Sequence, residues 1–115
     1  MRRGEIVLVD FDAVRGSEAN KRRPAVIVSN DRANGVAERL GRGVVTVVPL
    51  TSNVVRVFPF QVLLLRADTG LSRDSKAQAE QVRSVSVERV EVTIGRVSPA
   101  AMAELDAALR LHLQL

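Results

Sequence analysis

The sequence predicts one mainly β domain, in which a C-terminal helix packs on a small, curved antiparallel sheet or open barrel. The 115 residues are 46% apolar, and a chain of this length is close to the common size of one globular domain. Several short runs are rich in β-branched residues and are separated by turn formers, which is typical of strands. The hydrophobic period becomes helical only near the C-terminus. We therefore treat residues 1–115 as a single domain.

The first two strand-like runs are apolar at nearly every position. Residues 5–11 read EIVLVDF and residues 24–30 read PAVIVSN, and the first of these predicts a strand that is buried on both faces. Pro24 begins the second run, where its missing N–H removes no ladder hydrogen bond. Further strands are predicted at residues 44–50, 59–65, 76–85 and 92–97.

Two segments indicate helical structure. Residues 31–43 predict a short helical turn that Gly41 and Gly43 end. Near the C-terminus, Ser98 is a good N-cap and Pro99 suits the first helical position. The apolar residues that follow recur at helical spacing and predict one buried stripe. Its members are Met102, Leu105, Leu109 and Leu113.

Charge indicates a polyanionic partner. The net charge is +4, and 15 of the 17 basic residues are arginine. With a pI of about 10.9, this composition favours nucleic acid as the partner. A GC-rich genome, which favours arginine codons, is the alternative explanation. The chain has three aromatic residues, all phenylalanine, so we expect a weak stacking platform for bases.

Several classes of site and location are excluded or disfavoured. The chain has no cysteine, which excludes disulfides and thiolate metal sites and fits the cytoplasm. No apolar run is long enough for a secretory signal or a membrane span. His112 is the one histidine and is predicted to lie in the final helix, so a histidine acid–base pair cannot form within one chain. Asp10 and Asp12 could hold Mg²⁺ with a third ligand, but we expect solvated charges and no metal.

A set of polar side chains lies in the first loop, at the ends of predicted strands and on the strand predicted at 76–85. Guanidinium groups neutralise a phosphorane, a hydroxyl binds a non-bridging oxygen, and amides or carboxylates read bases, so these types suit a phosphodiester site. Local turns and an exposed ion pair are the alternative interpretation. The adjacent cations at 21–23 repel each other, which an anion would relieve. The members are Ser17, Glu18, Lys21, Arg22, Arg23, Thr51, Ser52, Asn53, Glu80, Gln81 and Arg83.

Four blocks and the final helix together resemble a known family. The blocks, in order, are RRGEIVLVDFD, GSEANKRRPAVIVSND, VVPLTSN and RDSKAQAEQVRSV. They are similar to the MazF/PemK toxins of toxin–antitoxin modules, over nearly all of the chain. Each block alone is weakly specific, whereas the combination is specific. Val7 and Leu8 depart from the family, since many members have an aromatic residue there. The stretch NVVRVFPF at 53–60 differs widely among such toxins.

The resemblance implies a fold, an activity and roles for some residues. The fold would be the small SH3-like barrel shared with the gyrase poison CcdB. The activity would be sequence-specific endoribonuclease cleavage of single-stranded RNA, chiefly mRNA, without metal or cofactor. The products would have 2′,3′-cyclic phosphate and 5′-hydroxyl ends. The family's catalytic arginine maps onto Arg23 and its catalytic threonine onto Thr51. Substrate-contacting positions of the first loop map onto Ser17 and Glu18, and positions of the RNA groove onto Glu80 and Gln81.

The resemblance also implies partners. We expect a homodimer with the C-terminal helix near its interface, and an acidic MazE-like antitoxin whose disordered tail lies in the RNA groove. The toxin–antitoxin complex would bind operator DNA. Two alternatives remain open at this point. One is a non-catalytic toxin on the same fold that binds a protein such as gyrase. The other is a plain RNA- or DNA-binding barrel, which needs a basic face but no positioned hydroxyl.

Overall fold

The computed structural model describes residues 1–11 and 22–115. Within this part of the chain lie seven strands and three α-helices. Two 3₁₀ turns, Ala79–Gln81 and Val87–Arg89, flank the sixth strand. The elements are β1 (Glu5–Asp10), β2 (Arg22–Ile27), α1 (Asp31–Leu40), β3 (Val44–Thr51), β4 (Gln61–Leu64), α2 (Arg66–Thr69), β5 (Ser75–Gln78), β6 (Arg83–Ser86), β7 (Val90–Arg96) and α3 (Pro99–Leu113).

All strand pairs are antiparallel, and β3 is the central strand. The main order is β4-β5-β3-β2-β1-β7. One edge of β3 pairs with β2. Its other edge pairs first with β6, through Val47 and Arg83, and then with β5, through Leu50 and Ala77. The predicted strand at 76–85 is therefore wrong as a single element, because the 3₁₀ turn at 79–81 divides it into two strands.

Both faces of the sheet are covered by apolar packing, as predicted for β1. Ile6 points to one face, whereas Val7 and Val9 point to the other, and all three are at most 1% exposed. The α3 core comprises Ile6, Val26, Val48, Leu50, Val62, Leu64, Ala77, Ala79, Val97, Leu105 and Ala108. The α1 core comprises Val7, Val9, Ala25, Ile27, Ala37, Val45, Val47, Val85 and Val87.

The segment predicted as a short turn is the ten-residue helix α1. Asn30 caps it by accepting a hydrogen bond from the Ala33 N–H at 2.8 Å, and Gly41 ends it with φ of 69°. Asn34 is fully buried, and its side-chain amide donates to the carbonyl of Ser29 at 2.8 Å. The prediction of length was wrong because packing of Ala37 in the α1 core stabilises the helix beyond its propensity.

Helix α3 begins as predicted. The Ser98 hydroxyl accepts a hydrogen bond from the Ala101 N–H at 3.1 Å. Leu105 is fully buried, and Met102 and Leu109 pack against the α3 core. Leu113 is 49% exposed, so the predicted stripe does not extend to the last turn.

Helix α2, which the sequence patterns did not predict, lies against β7. A Cβ atom added at Gly95 would stand 2.5 Å from the carbonyl oxygen of Thr69. This close approach brings the end of β4 beside the opposite edge strand, where the described residues form no β-ladder. The result is an open barrel. None of the described helices has the length and apolar character needed to cross a membrane.

Candidate active site

The α1-core face of the sheet continues beyond the apolar packing into a polar surface. Side chains alternate between faces along a strand, and directly paired residues share a face. Arg23 lies two residues before Ala25, a member of the α1 core. Ala25 pairs with Pro49, and Thr51 follows Pro49 by two residues. Arg23 and Thr51 therefore lie on one face of neighbouring strands.

Strands β5 and β4 extend this polar surface. Thr51 pairs directly with Lys76 of β5. Gln78 stands two residues further along β5 and pairs with Gln61 of β4. Neither Lys76 nor Gln78 was predicted as a site residue. The signal was present in the sequence SKAQ, where Lys76 and Gln78 alternate with the small residues Ser75 and Ala77, and only the strand register shows which face they occupy.

The guanidinium of Arg23 is held by two acceptors. Its Nη2 donates to the backbone carbonyl of Leu50 at 3.0 Å and to Oε1 of Gln78 at 3.1 Å. The Arg23 side chain has no carboxylate partner within the described ranges 1–11 and 22–115. Nη1 and Nε are not used in these two contacts. The arrangement fixes the guanidinium plane, and its remaining donors can bind an anion.

Thr51 ends β3 in a local turn. Its Oγ1 accepts a hydrogen bond from the Asn53 N–H at 3.2 Å, and the Asn53 side chain accepts from the Val55 N–H at 3.3 Å. The turn interpretation of the TSN block is therefore correct in part. These contacts leave the hydroxyl proton of Thr51 available to a ligand, because Oγ1 acts in them as an acceptor. Ser52 and Asn53 are exposed.

Phe11 lies near two cations of this surface. Its ring centroid is 5.0 Å from Cζ of Arg83 and 5.9 Å from Cζ of Arg23. Arg83 is exposed and pairs with Val47, which places it on the same face as Arg23. The ring attracts both guanidinium groups through cation–π contacts. Two positive charges are thus kept close together at the edge of the α1 core.

Arg22 lies on the opposite face from Arg23. Its Nε donates to both carboxylate oxygens of Glu91, at 2.8 and 3.0 Å. Hydrogen bonding to this carboxylate raises the pKa of Arg22 above its ordinary value. The structure therefore separates the two adjacent arginines. The role of Arg22 in RNA binding remains a prediction.

Glu80 and Gln81 lie in the 3₁₀ turn between β5 and β6. Oε2 of Glu80 accepts a hydrogen bond from Nε2 of Gln61 at 2.8 Å. Its Oε1 is buried and has no hydrogen-bond partner in the described part of the chain. Gln81 is exposed. Glu80 is thus hydrogen-bonded to Gln61, which is the strand partner of Gln78.

Some sequence predictions fall outside the described residues, or concern residues away from this surface. Ser17, Glu18, Lys21 and Asp12 lie outside the described ranges. Residues 1–11 and 22–115 contain no group of three or more His, Cys, Asp or Glu side chains that could hold a metal ion. His112 lies exposed near the end of α3, the final helix in which it was predicted to lie.

Comparison with known proteins identifies the family. A family model described as PemK-like, MazF-like toxin of type II toxin–antitoxin system matches residues 2–113. The chain belongs to this toxin family. It is 66% identical over 115 residues to endoribonuclease MazF9 of Mycobacterium tuberculosis, with all of this chain and 98% of that protein covered. It is 31% identical over 116 residues to endoribonuclease MazF of Staphylococcus epidermidis, covering all of this chain and 92% of the relative.

Solved structures of MazF toxins share the fold. The toxin superposes on a crystal structure of MazE–MazF from Deinococcus radiodurans with a TM-score of 0.79 at 28% identity. The match covers all of this chain and 96% of that chain. The predicted fold class, mainly β with a C-terminal helix in the MazF arrangement, is confirmed.

Proposed function

We propose that this toxin is an endoribonuclease that cleaves single-stranded RNA at specific sequences without a metal ion. The observation that carries the proposal is the position of the Arg23 guanidinium. It lies on the same face of the sheet as Thr51 and is held there by hydrogen bonds to two acceptors. A plain nucleic-acid-binding barrel needs no such fixed donor. The endoribonuclease names of the relatives at 66% and 31% identity support the activity.

In the proposed reaction the 2′-oxygen of one nucleotide attacks the adjacent phosphorus. A new P–O2′ bond forms and the P–O5′ bond breaks, which gives 2′,3′-cyclic phosphate and 5′-hydroxyl ends. The 2′-hydroxyl loses its proton to a base, and the leaving 5′-oxygen gains one. Negative charge grows on the non-bridging oxygens in the transition state, where Arg23 donates in a planar fork and Thr51 donates from its hydroxyl.

The proton acceptor is a group other than Arg23, because arginine stays protonated in proteins. Glu18 and a water molecule are the two candidates. The remaining RNA contacts are assigned to Ser17, Lys21, Arg22, Ser52, Asn53, Glu80, Gln81 and Arg83. Lys21 and Arg22 bind backbone phosphates, and counterion release adds to the affinity.

The proposed oligomeric state and the proposed inhibitor are those that the resemblance to the toxin family implies. The active form is a homodimer in the cytoplasm, with α3 near the interface, and an acidic MazE-like antitoxin with a disordered tail inhibits it. The antitoxin complex binds operator DNA. The Deinococcus radiodurans structures that contain MazE with MazF support an antitoxin partner. Sedimentation tests the dimer, and a stable monomer that still cleaves RNA would contradict it.

Incubation of the purified toxin with a long RNA, with and without EDTA, tests the proposed activity. We expect discrete fragments that EDTA does not change, with cyclic phosphate on the upstream fragment and a free 5′-hydroxyl on the downstream one. Cleavage that EDTA abolishes would contradict the metal-independent mechanism. Intact RNA under all conditions would favour a gyrase-type poison or a plain nucleic-acid-binding barrel, which gyrase inhibition and nucleic-acid binding then distinguish.

A further inference from the structure

The connection from β3 to β4, residues 52–60, is fastened to the sheet by a buried lysine. Lys76 is 8% exposed, and its Nζ donates to the backbone carbonyl of Arg56 at 2.6 Å. Lys76 has no carboxylate partner within the described part of the chain, whereas buried lysines are ordinarily paired. The N–H of Phe58 donates to Oε1 of Gln61 at 3.1 Å and holds the connection near β4.

This connection carries a cluster of flat groups that is partly open to solvent. The rings of Phe58 and Phe60 stack with centroids 5.4 Å apart and an interplanar angle of 1°. Cζ of Arg56 lies 5.4 Å from the Phe58 centroid, and Nζ of Lys76 lies 5.8 Å from it. Phe58 is 38% exposed. Burial of these rings in a core does not explain the arrangement, because neither belongs to the α3 core or the α1 core.

The cluster lies next to the proposed reaction centre. Lys76 is the direct ladder partner of Thr51, so the residue that holds the connection also stands beside the residue that contacts the reacting phosphate. Single-stranded RNA is bound by basic surfaces that follow its backbone and by flat groups on which bases stack. Arg56 adds a guanidinium group, on which bases also stack.

We propose that Arg56, Phe58 and Phe60 form a stacking platform for one unpaired RNA base beside the cleaved bond, and that Lys76 is the positioning residue that holds this platform next to Thr51. The inference rests on the proposed function, because it takes single-stranded RNA as the substrate. The composition predicts a weak stacking platform because the chain has only three aromatic residues. Two of them, Phe58 and Phe60, lie together in this cluster.

The platform is tested with a base analogue whose fluorescence falls on stacking. The cleavage site is first mapped with the wild-type toxin. The probe is an RNA oligonucleotide spanning that site, with a 2′-O-methyl group at the attacking nucleotide and 2-aminopurine on either side of the bond in turn. We expect wild-type toxin to quench one of the two positions. Phe58→Leu should lose this quenching and bind about tenfold more weakly or worse, whereas Phe58→Tyr, which keeps the ring, should retain both.

Lys76 is tested with the same probe and with hydrogen exchange. Lys76→Met should lose most of the quenching and speed amide exchange within residues 52–60, with thermal unfolding recorded to exclude global destabilisation. Lys76→Arg, which keeps a donor, should restore both readouts in part. If Lys76→Met or Lys76→Arg unfolds, Phe58→Leu and Phe58→Tyr still decide the platform.

The outcomes separate this inference from the proposed function. If the wild-type toxin cleaves RNA but quenches neither position, or if Phe58→Leu quenches as the wild type does, the platform is wrong and the proposed function stands. If a folded Lys76→Met keeps full quenching and affinity, the positioning role of Lys76 is wrong. If the wild-type toxin cleaves no RNA, both proposals fall.

Discussion

Gln78 accepts a hydrogen bond from Nη2 of Arg23 at 3.1 Å and so links the start of β2 to the end of β5 across β3. The backbone carbonyl of Leu50, on the intervening strand, accepts from the same nitrogen. A guanidinium is planar, so two acceptors on one nitrogen restrict the orientation of the whole group. Donors that are oriented before the reaction begins stabilise transition-state charge at no cost of reorganisation. In the proposed reaction, Gln78 would therefore act through Arg23.

Gln78→Leu should lower the single-turnover cleavage rate by about tenfold, the effect of losing one hydrogen bond that orients a charged donor. Affinity for an uncleavable 2′-deoxy substrate should change little, because the charge of Arg23 remains. Rapid-quench cleavage at saturating enzyme and equilibrium binding measure the two quantities separately. An unchanged rate in a folded Gln78→Leu variant would show that Leu50 alone suffices to orient Arg23.

Thr51→Ala should lower the same rate by about tenfold, because a neutral hydroxyl donates a weaker hydrogen bond than an ionised group. Thr51→Ser keeps the hydroxyl and is the matched control, so it should retain most of the rate. Thr51→Ala also removes the oxygen that accepts a hydrogen bond from the Asn53 N–H, whereas Thr51→Ser keeps it. Equal losses in Thr51→Ala and Thr51→Ser would show that the rate depends on the γ-methyl group of Thr51 and not on its hydroxyl.

The positions of Arg23 and Thr51 at the ends of their strands were predictable from the sequence, whereas the contacts between strands were not. Arg23 and Thr51 each stand beside an apolar run, and their types suit a phosphodiester. Gln78 and Lys76 were missed because their significance depends on the register of β5 with β3 and β4. The adjacent residues Arg22 and Arg23 could be grouped by sequence, yet alternation along β2 sends them to opposite faces.

The elements of the fold were predicted best where one pattern was long and clear. The apolar runs predicted β1 and β3, and the Ser98 cap predicted the start of α3. Helix α1 was underestimated because the buried Asn34 looks like a surface residue in the sequence. The segment 76–85 was predicted as one strand because the residues of the 3₁₀ turn at 79–81 continue its sequence pattern.

Gly95→Ala should destabilise the toxin by about 1–3 kcal/mol, because the added methyl group would meet the backbone of Thr69 and force α2 away from β7. Gly35→Ala is the matched control. No heavy atom lies within 4 Å of its added Cβ, and replacement of a glycine inside α1 should stabilise by about 0.5–1 kcal/mol. Urea unfolding of both variants measures the difference, and a Gly95→Ala variant as stable as the wild type would contradict the close packing.

The central claim is that Arg23 stabilises the transition state, and Arg23→Lys tests it most directly. Lysine keeps the charge and loses the planar fork, so single-turnover cleavage at saturating enzyme should fall by at least ~10²-fold, with little change in binding of the uncleavable 2′-deoxy substrate. Arg96→Lys is the matched control, since Arg96 is exposed at the end of β7 and pairs with Glu5 at 3.5 Å, and it should keep the wild-type rate. If Arg23→Lys cleaves at a near-normal single-turnover rate, Arg23 is a contact to the RNA backbone and the catalytic assignment is wrong.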